Sequence, residues 1–391
     1  MRGIVLYIYE DICKEMMLLV IKAVLNNDIV RMITNIEQNK FTLNNIKIPA
    51  ITRNKLRKNS KKKSSYASNK IEGNPLTEKQ VSDVIDKDEH KHFLKPEQEV
   101  RNYYMALNYL EEQIAKKAPF TKELILKVQS IVEKGASKEK IGLRGAMPPG
   151  YLFAVYDSET QEAEYIPPEY NEIPELLDEL VEYVNTTDDH PLIIAAIVHY
   201  QIITIHAFED GNGRTARLLS GYILDYYGYG FQGIGSLEEY FAYDSDEYYS
   251  SLQMGLPALY YMGRENPPHP EIWITYFLRM MELYSNKVCE LSMETNKQSE
   301  QVNLSYLNKK DKELLAYLIE NKMYEFKPVV KKEKTGQSMP SRHVFSAFVI
   351  GMSALYISVH LGILILADSF LMCFMRVIAG VHFPKDVIVG A

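Results

Sequence analysis

The feature that most constrains the fold is the uncharged stretch PLIIAAIVHYQIITI at 191–205, which runs directly into HAFEDGNGRTARLL at 206–219. The first stretch predicts a long apolar helix, because its hydrophobic residues continue without a turn signal. The glycines of the second stretch predict a tight loop, and a helical pattern resumes near Gly213. The sequence therefore predicts two helices joined by a glycine-rich loop that carries a histidine, acids and arginines.

Composition places the chain among soluble globular proteins. It has 391 residues, 46% hydrophobic and 24% charged, a length typical of about two to three domains. A net charge of −7 argues against general nucleic-acid binding, and no specific nucleic-acid partner is expected. Cys13, Cys289 and Cys373 lie far apart without CxxC spacing, so neither a zinc site nor a disulfide framework is expected. The widely spaced cysteines also favour a reducing cytoplasmic location. Residues 1–20 lack a clean apolar core and a cleavage site, so we expect a helix there rather than a signal peptide.

The pattern along the chain is mostly helical with one β-hairpin. Within residues 142–168, the β-prone runs YLFAVY and EAEYI flank a polar turn, which predicts the hairpin. The basic run RNKLRKNSKKK at 53–63 predicts a solvated face rather than a nucleic-acid patch. Gly73-Asn74-Pro75 ends one predicted helix, and Thr77 caps the next.

The glycine-rich loop has the composition of a phosphate site. Gly211 and Gly213 permit close approach of a ligand, and the unpaired N–H groups at the start of the following helix favour an anion. Arg214 and Arg217 lie three residues apart on one helical face, and two guanidinium groups suit a polyphosphate.

The same stretch supplies a metal ligand and a base. Asp210 offers a hard oxygen suited to Mg²⁺ bridging phosphates. His206 ends the preceding helix, where it can take a proton from a hydroxyl at neutral pH. A tight helix–loop–helix turn with a buried salt bridge would explain the glycines, but it leaves the histidine and arginines coincidental.

The motif H-x-F-x-D-G-N-G-R-x-x-R resembles the signature of the Fic family of protein adenylyltransferases. The resemblance extends over about residues 45–290 and includes the hairpin with YIPP, which is similar to the family's target-docking flap. It implies an all-helical core with a β-hairpin flap. The family usually has proline after the histidine, whereas this chain has Ala207, and we expect a modest effect.

The resemblance implies transfer of AMP from ATP to a Ser, Thr or Tyr hydroxyl of a target protein, which includes the chain itself as a candidate. It also implies residue roles: His206 as general base, Phe208 as packing anchor, Asp210 as Mg²⁺ ligand, Gly211, Asn212 and Gly213 as phosphate cradle, Arg214 and Arg217 as ligands of the β- and γ-phosphates, and Tyr249 beside the base.

The segment SNKIEGN at 68–74 resembles a second pattern of the family, the inhibitory helix S-x-x-x-E-G-N. The resemblance implies that Glu72 pairs with Arg217 and occupies the charge that the γ-phosphate needs. Ser68, Gly73 and Asn74 would fix this helix to the core. An ordinary helix end is the alternative for Gly-Asn. In some relatives such a glutamate supports removal of AMP, and the sequence leaves both directions open.

The C-terminal part resembles a different family, the type-2 phosphatidic acid phosphatases (PAP2). PSRH and RVIAGVHFPKD match its elements, which implies phosphate-site roles for Ser341, His343, Arg376, His382 and Asp386. Residues 344–367 carry no formal charge, so transmembrane helices and membrane contact by residues 344–378 are expected, and a buried helical hairpin is the alternative. The first motif of that family, K-x6-R-P, is lacking, so we expect an incomplete site without phosphatase activity. We interpret the chain as a chimera, natural or from gene assembly, whose two parts are joined near 323–334.

These patterns predict four regions: an N-terminal helical region 1–95, a Fic domain 96–290 with flap 145–168 and motif 206–217, a truncated winged-helix-like region 291–325, and a partial PAP2-like fragment 326–391. Two other classes compete with this interpretation: a membrane lipid phosphatase with a regulatory N-terminal domain, and a pseudoenzyme or interaction module. A homodimer is left open.

Overall fold

The computed structural model describes residues 25–86, 93–136, 141–151, 153–156, 163–254, 260–261, 269–301, 310, 349–350, 352–355 and 358–378. The chain divides into two compact units. The first comprises residues 1–48 and 52–296, and the second comprises residues 49–51 and 297–391.

Helices dominate the described residues, which confirms the predicted mostly helical class. In chain order they are α1 Asn27–Asn45, α2 Ala50–Ile71, α3 Glu78–Asp86, α4 Lys95–Ala115, α5 Lys122–Val132, α6 Ile173–Thr186, α7 Pro191–Ile205, α8 Asn212–Tyr226, α9 Glu238–Phe241, α10 Ser245–Gln253, α11 Pro270–Gln301 and α12 Val359–Ile378.

Helix α7 lies at the centre of the first unit. Nearly all of its residues are buried, because α6 and α8 pack against it. A helix that is apolar on every face belongs in a core, which explains the absence of charge in its sequence. Pro191 begins the helix, and the side chain of His190 accepts the N–H of Leu192. Trp273 of α11 is fully buried and donates its indole N–H to the Ala196 carbonyl at 2.8 Å.

A small sheet contains the predicted hairpin. Strands β1 Val155–Tyr156 and β2 Ala163–Ile166 pair antiparallel, with Val155 opposite Tyr165. A third strand, β3 Tyr260–Tyr261, pairs in parallel with β2. Strand β3 is not predicted by the sequence pattern, because a two-residue strand shows no alternation.

Helix α2 is buried on a face of small polar residues rather than large apolar ones. Ser60 and Ser65 return their hydroxyl groups to carbonyls of the preceding turn, at 2.9 and 2.8 Å. Ser64 donates to Glu238 of α9 at 2.7 Å. These bonds satisfy the hydroxyl groups, so a helix of low hydrophobicity can still pack closely against the core.

The basic run on α2 is paired with acids of other elements. Lys58 and Lys62 contact Asp86 of α3, Arg57 and Lys61 contact Glu111 of α4, and Lys63 contacts Glu239 of α9. Exposed pairs of this kind contribute about 0–1 kcal/mol each. The run is therefore a set of inter-helix contacts, which differs from a solvated face without partners.

In the second unit, Ala354 packs against Leu361 and Ile365 of α12. The predicted transmembrane helices are not supported: across the described part of the chain, no helix combines the length and apolar character needed to cross a membrane.

The predicted PAP2-like residues receive no structural test. Ser341, His343, His382 and Asp386 lie outside the described residues, whereas Arg376 lies in α12 without a described side chain. Residues 291–301 continue α11, and the rest of the predicted winged-helix-like region, apart from Lys310, also lies outside.

The central position of Trp273 gives a stability prediction. Trp273→Ala should lower the free energy of unfolding by about 3–5 kcal/mol, because it removes a fully buried ring and the partner of the Ala196 carbonyl. Tyr243→Ala is the control, since Tyr243 is 92% exposed and its loss should change stability by less than about 0.5 kcal/mol. Equal urea midpoints for the two variants would contradict this assignment.

Candidate functional site

Helix α7 ends at His206 in a left-handed conformation. The residue has φ 45° and ψ 53°, and its N–H donates to the Ile202 carbonyl. Its Nδ1 lies 3.2 Å from the Ile203 carbonyl, which can only accept a hydrogen bond. The Nδ1 atom therefore carries the proton, and Nε2 keeps a lone pair for accepting one.

The pKa of His206 is lowered to about 4. Desolvation of the imidazole is the main cause; the Ile203 carbonyl opposes it, Arg144 reinforces it, and Glu72 and Asp210 oppose it. The unfolded chain, with a histidine pKa near 6.5, binds more protons between pH ~6.5 and ~4. This group's contribution to stability is therefore present above pH ~6.5 and is lost as the pH falls to ~4. His206 is neutral, and able to act as a base, throughout the physiological range.

The glycine-rich loop is braced from within. Asn212, which is buried, donates to the Phe208 carbonyl at 2.8 Å and accepts the Phe208 N–H at 3.1 Å. Gly211 has φ 82°, which favours glycine, and a Cβ there would lie 2.6 Å from Glu133. The Asn212 side chain is thus committed to the loop, so what this residue can offer an anion is its backbone N–H at the start of α8.

Arg214 is surrounded by acids. Its guanidinium lies 2.9 Å from Glu133, 3.1 Å from Asp210 and 3.9 Å from Glu99. Asp210 also accepts the Gly211 N–H at 2.7 Å. Three carboxylates so close to a buried arginine compensate its positive charge, so the net charge around Arg214 is not strongly positive. Across the part of the chain that the structure describes, no group of three or more acidic, histidine or cysteine side chains could hold a metal by itself.

Arg217 meets the segment 68–74. Its guanidinium donates to the Ser68 hydroxyl at 2.7 Å, to the Ser68 carbonyl at 3.0 Å and to Glu72 at 2.5 Å. Burial alone would lower the pKa of Arg217, but the carboxylate of Glu72 raises it. A Cβ at Gly213 would overlap Glu72, so this glycine makes room for the ion pair.

The same segment ends α2 with a defined cap. Gly73 has φ 77° and donates to the Lys70 carbonyl, and Asn74 donates to the Asn69 carbonyl. These two bonds form a Schellman motif. The Asn74 side chain then donates to Pro96 and Glu99 at 3.0 and 2.9 Å, which ties the end of α2 to α4. The ordinary helix end and the contact with Arg217 are therefore both present.

A closed ring of hydrogen bonds through Ser220, His199 and Tyr248 also holds Arg217. Ser220 donates to the Arg217 carbonyl at 3.0 Å, so its oxygen accepts from Nδ1 of His199 at 3.2 Å. Burial lowers the pKa of His199 well below its usual value, so the imidazole is neutral. Its Nε2 accepts a hydrogen bond from the Tyr248 hydroxyl at 2.8 Å. The Tyr248 oxygen then accepts from Arg217 at 3.3 Å. Every proton in this ring has one consistent assignment.

Tyr249 lies next to this ring but is half exposed, and its hydroxyl donates to the Ile71 carbonyl at 3.4 Å. The structure thus brings Tyr249 to the end of α2, beside Glu72.

Arg144 is a site residue that was not predicted from the sequence. It donates to the His206 carbonyl at 2.8 Å and to the Pro168 carbonyl, and its backbone N–H donates to Ala207 at 2.9 Å. Its guanidinium also lies 4.7 Å from the Phe153 ring centroid. It therefore joins the segment before the hairpin to the turn at His206. An arginine in the segment GLRG, near two glycines, was the available signal.

Glu133, His199 and Tyr248 were not predicted from the sequence either. The available signal for His199 was that it is the one histidine within the mostly apolar helix α7.

The helical core, the sheet and the loop at the start of α8 define a Fic-like fold. Residues 119–224 match the Fic/DOC family, and residues 305–391 match the PAP2 superfamily. The chain therefore carries a Fic/DOC domain and is distantly related to protein adenylyltransferases.

Two curated relatives illustrate the distance. Protein adenylyltransferase Fic of Drosophila grimshawi is 26% identical over 181 residues, which cover 42% of this chain and 33% of the relative. The protein of the same name in Nematostella vectensis is 37% identical over 65 residues, which cover 16% of this chain and 15% of the relative. The chain thus matches a third or less of their length.

Solved structures show the shared fold. A Fic family protein from Desulfovibrio desulfuricans G20 has a TM-score of 0.56 at 21% identity, covering 70% of this chain and 77% of that one. Fic-1 of C. elegans has a TM-score of 0.51 at 20% identity, covering 69% and 73%. Both likenesses concern the fold alone.

The ring around Arg217 gives a prediction that two neighbouring tyrosines can test. Tyr248→Phe should cost about 1–3 kcal/mol of unfolding free energy, because it leaves His199 and Arg217 without their shared partner in a buried site. Tyr249→Phe removes a long, half-exposed bond and should cost less than about 0.5 kcal/mol. Urea denaturation of both variants measures the difference, and equal losses would rule out the ring as a structural element.

Proposed function

We propose that this chain is a protein adenylyltransferase that uses Mg²⁺ and ATP and is held inactive by Glu72. The observation that carries the proposal is the 2.5 Å contact between Glu72 and Arg217, next to the start of α8 and the neutral His206. The distant relationship to protein adenylyltransferases supports the same class of reaction.

The start of α8 receives the phosphates in this proposal. The first N–H groups of a helix lack intrahelical partners and attract anions. Arg214 and Arg217 add two cationic side chains, and both are now compensated by carboxylates that phosphate oxygens can replace.

Asp210 is the residue that would hold Mg²⁺. It is the one carboxylate of the loop that also contacts the start of α8, through the Gly211 N–H. Mg²⁺ is commonly bound by one or two protein carboxylates together with substrate phosphates, which agrees with the lack of a complete metal cluster in the described residues. When bound, the ion would neutralise charge on the phosphates.

His206 acts as the base. Its Nε2 takes the proton from a Ser, Thr or Tyr hydroxyl of the target, whose oxygen bonds to the α-phosphorus of ATP. The bond from that phosphorus to the bridging oxygen breaks, and pyrophosphate leaves with the bonding electrons. Position and charge stabilisation dominate such a transfer, because the protein forms no covalent intermediate.

Glu72 opposes this reaction by occupying Arg217. The carboxylate and a γ-phosphate cannot share the same guanidinium donors, so ATP must either displace Glu72 or bind in a pose with its α-phosphate misaligned. The collision between Glu72 and any Cβ at Gly213 shows how closely the carboxylate approaches the start of α8.

Removal of AMP is the second candidate for the same site. Glu72 uses one carboxylate oxygen for Arg217, and within the described contacts its other oxygen makes no hydrogen bond. That oxygen could activate a water molecule for attack on the phosphorus of an AMP-modified side chain.

We propose that the C-terminal segment lacks phosphatase activity, because the K-x6-R-P element is missing.

Glu72→Gly tests the proposal directly. In the full chain with Mg²⁺, α-labelled ATP should transfer label to protein at least about tenfold faster than in wild type, since Arg217 becomes free for phosphate. Label from γ-labelled ATP should not be retained, and adding His206→Ala should abolish transfer.

Glu72→Gln is the matched variant, because it keeps the side-chain size and removes the charge. Activation by Glu72→Gln would assign the inhibition to charge, whereas activation by Glu72→Gly alone would assign it to occupancy. An unchanged rate in Glu72→Gly would contradict inhibition, and retained γ-label would contradict adenylyl transfer. If neither label is retained but AMP is released from a modified protein in a Glu72-dependent way, the second candidate holds.

The pH dependence tests the role of His206. With a pKa of about 4, His206 should not limit transfer between pH 5.5 and 7.5, and the acid limb should fall near pH 4–5. Glu72 raises this pKa, so the limb in Glu72→Gly should not move upward. An acid midpoint near 6.5, the value of free histidine, would contradict a desolvated base. Circular dichroism at each pH verifies that the protein remains folded.

A further inference from the structure

We propose that Arg144 is a positioning residue for the base: it holds His206 in its reactive orientation and ties it to the hairpin. This inference rests on the proposed transferase function and adds a residue to it. Arg144 is 5% exposed and lies on the segment that precedes the hairpin. It acts through His206 rather than on ATP or the target protein.

The Arg144 guanidinium bridges two carbonyls from different parts of the site. Its Nε donates to the His206 carbonyl at 2.8 Å, and one terminal nitrogen donates to the Pro168 carbonyl, two residues after the end of β2. A guanidinium is planar and presents its donors in a fixed arrangement, so it sets the separation of the two carbonyls. The end of the hairpin and the residue that carries the base are therefore joined through one side chain.

The backbone of the same segment pairs with the turn at the base. The Arg144 N–H donates to the Ala207 carbonyl at 2.9 Å, and Leu143 forms an isolated antiparallel bridge with Phe208. Arg144 thus provides donors for the carbonyls of two successive residues, His206 and Ala207. Both carbonyls lie just beyond α7, whose own backbone offers no partner there.

The turn needs this support because of its backbone conformation. His206 has φ 45° and ψ 53°, a left-handed conformation that residues other than glycine adopt only where their surroundings hold them. The Ile203 carbonyl fixes the imidazole at Nδ1, at 3.2 Å, whereas Arg144 fixes the backbone from which the imidazole projects. Without Arg144 we expect the turn to relax and the Nε2 lone pair to change direction.

A further contact comes from Phe153, just before β1. The centroid of its ring lies 4.7 Å from the Arg144 guanidinium carbon and 5.9 Å from the centroid of the His206 ring. The face of an aromatic ring attracts a guanidinium, so Phe153 helps to hold Arg144 beside the base. The positive charge of Arg144 disfavours protonation of His206, while Glu72 and Asp210 favour it. Loss of Arg144 should therefore displace the base and raise its pKa.

The first test compares Arg144→Gln and Arg144→Lys in the full chain carrying Glu72→Gly. With Mg²⁺ and α-labelled ATP, Arg144→Gln should lower kcat by about tenfold to a hundredfold, since a displacement of about 1 Å can cost that much. The KM for ATP should change by less than about twofold, because the phosphate loop keeps its own internal bonds. Arg144→Lys can keep one of the two carbonyl contacts, so it should lose less activity.

Arg279→Gln is the matched control. Arg279 also combines a polar contact, to Glu247, with an aromatic one, its guanidinium carbon lying 5.5 Å from the Tyr276 ring centroid, but it belongs to α11. Its loss should leave kcat and KM unchanged. Titration calorimetry with ATP shows whether each variant keeps a folded phosphate site. If Arg144→Gln lowered ATP affinity together with kcat, the role of Arg144 would be general stability rather than positioning.

A second measurement does not depend on AMP transfer. In NMR spectra of histidine-labelled protein, the His206 signal is assigned by its loss in His206→Ala and should show the Nδ1–H tautomer in wild type. In Arg144→Gln it should move and titrate at a higher pH, toward the value of about 6.5 for free histidine. Either an unchanged His206 signal or an unchanged kcat would overturn the proposal. If Glu72→Gly transfers no label at all, the proposed function fails, and the NMR titration alone decides the role of Arg144.

Discussion

The buried guanidinium of Arg217 is the group around which the site is organised. A charge that is 2% exposed is stable only when its donors are matched, and here Ser68, Glu72 and Tyr248 match them. Glu72 can reach it because the Schellman motif ends α2 at the right residue and Asn74 fixes that end to α4. The position of α2, a helix with few large apolar residues, therefore depends on polar contacts as much as on packing.

Those partners differ in what they can do. Tyr248 and His199 belong to the core and close a ring back to the Arg217 backbone, so they hold the guanidinium whether or not Glu72 is present. Glu72 is 30% exposed at its side chain and comes from a helix end, so it is the exchangeable partner. Breaking a buried ion pair is costly when the remaining charge is left alone. A polyphosphate would avoid that cost, because it replaces one anion with another.

Local patterns predicted the parts of this arrangement that are local. The apolar run of α7, the glycine loop, the hairpin and the end of α2 each carry their own turn or periodicity signal. Long-range partners carry none: Arg144 contacts His206 across 62 residues, and Tyr248 contacts Arg217 across 31. The transmembrane prediction for residues 344–378 rested on the absence of charge alone, and no described helix supports it. Hydropathy identified an apolar segment there but not what covers it.

Helix α2 extends from the cavity beside α4 and α8 to the guanidinium of Arg217. Arg57, Lys61 and Ser64 line this cavity, and Ser68 and Glu72 follow on the same helical face at spacings of three or four residues. Lys61 and Glu72 are about 16 Å apart along the helix axis, at 1.5 Å per residue. Ser64 donates to Glu238 of α9 at 2.7 Å, so α2 could separate from the core only if this buried hydrogen bond were broken.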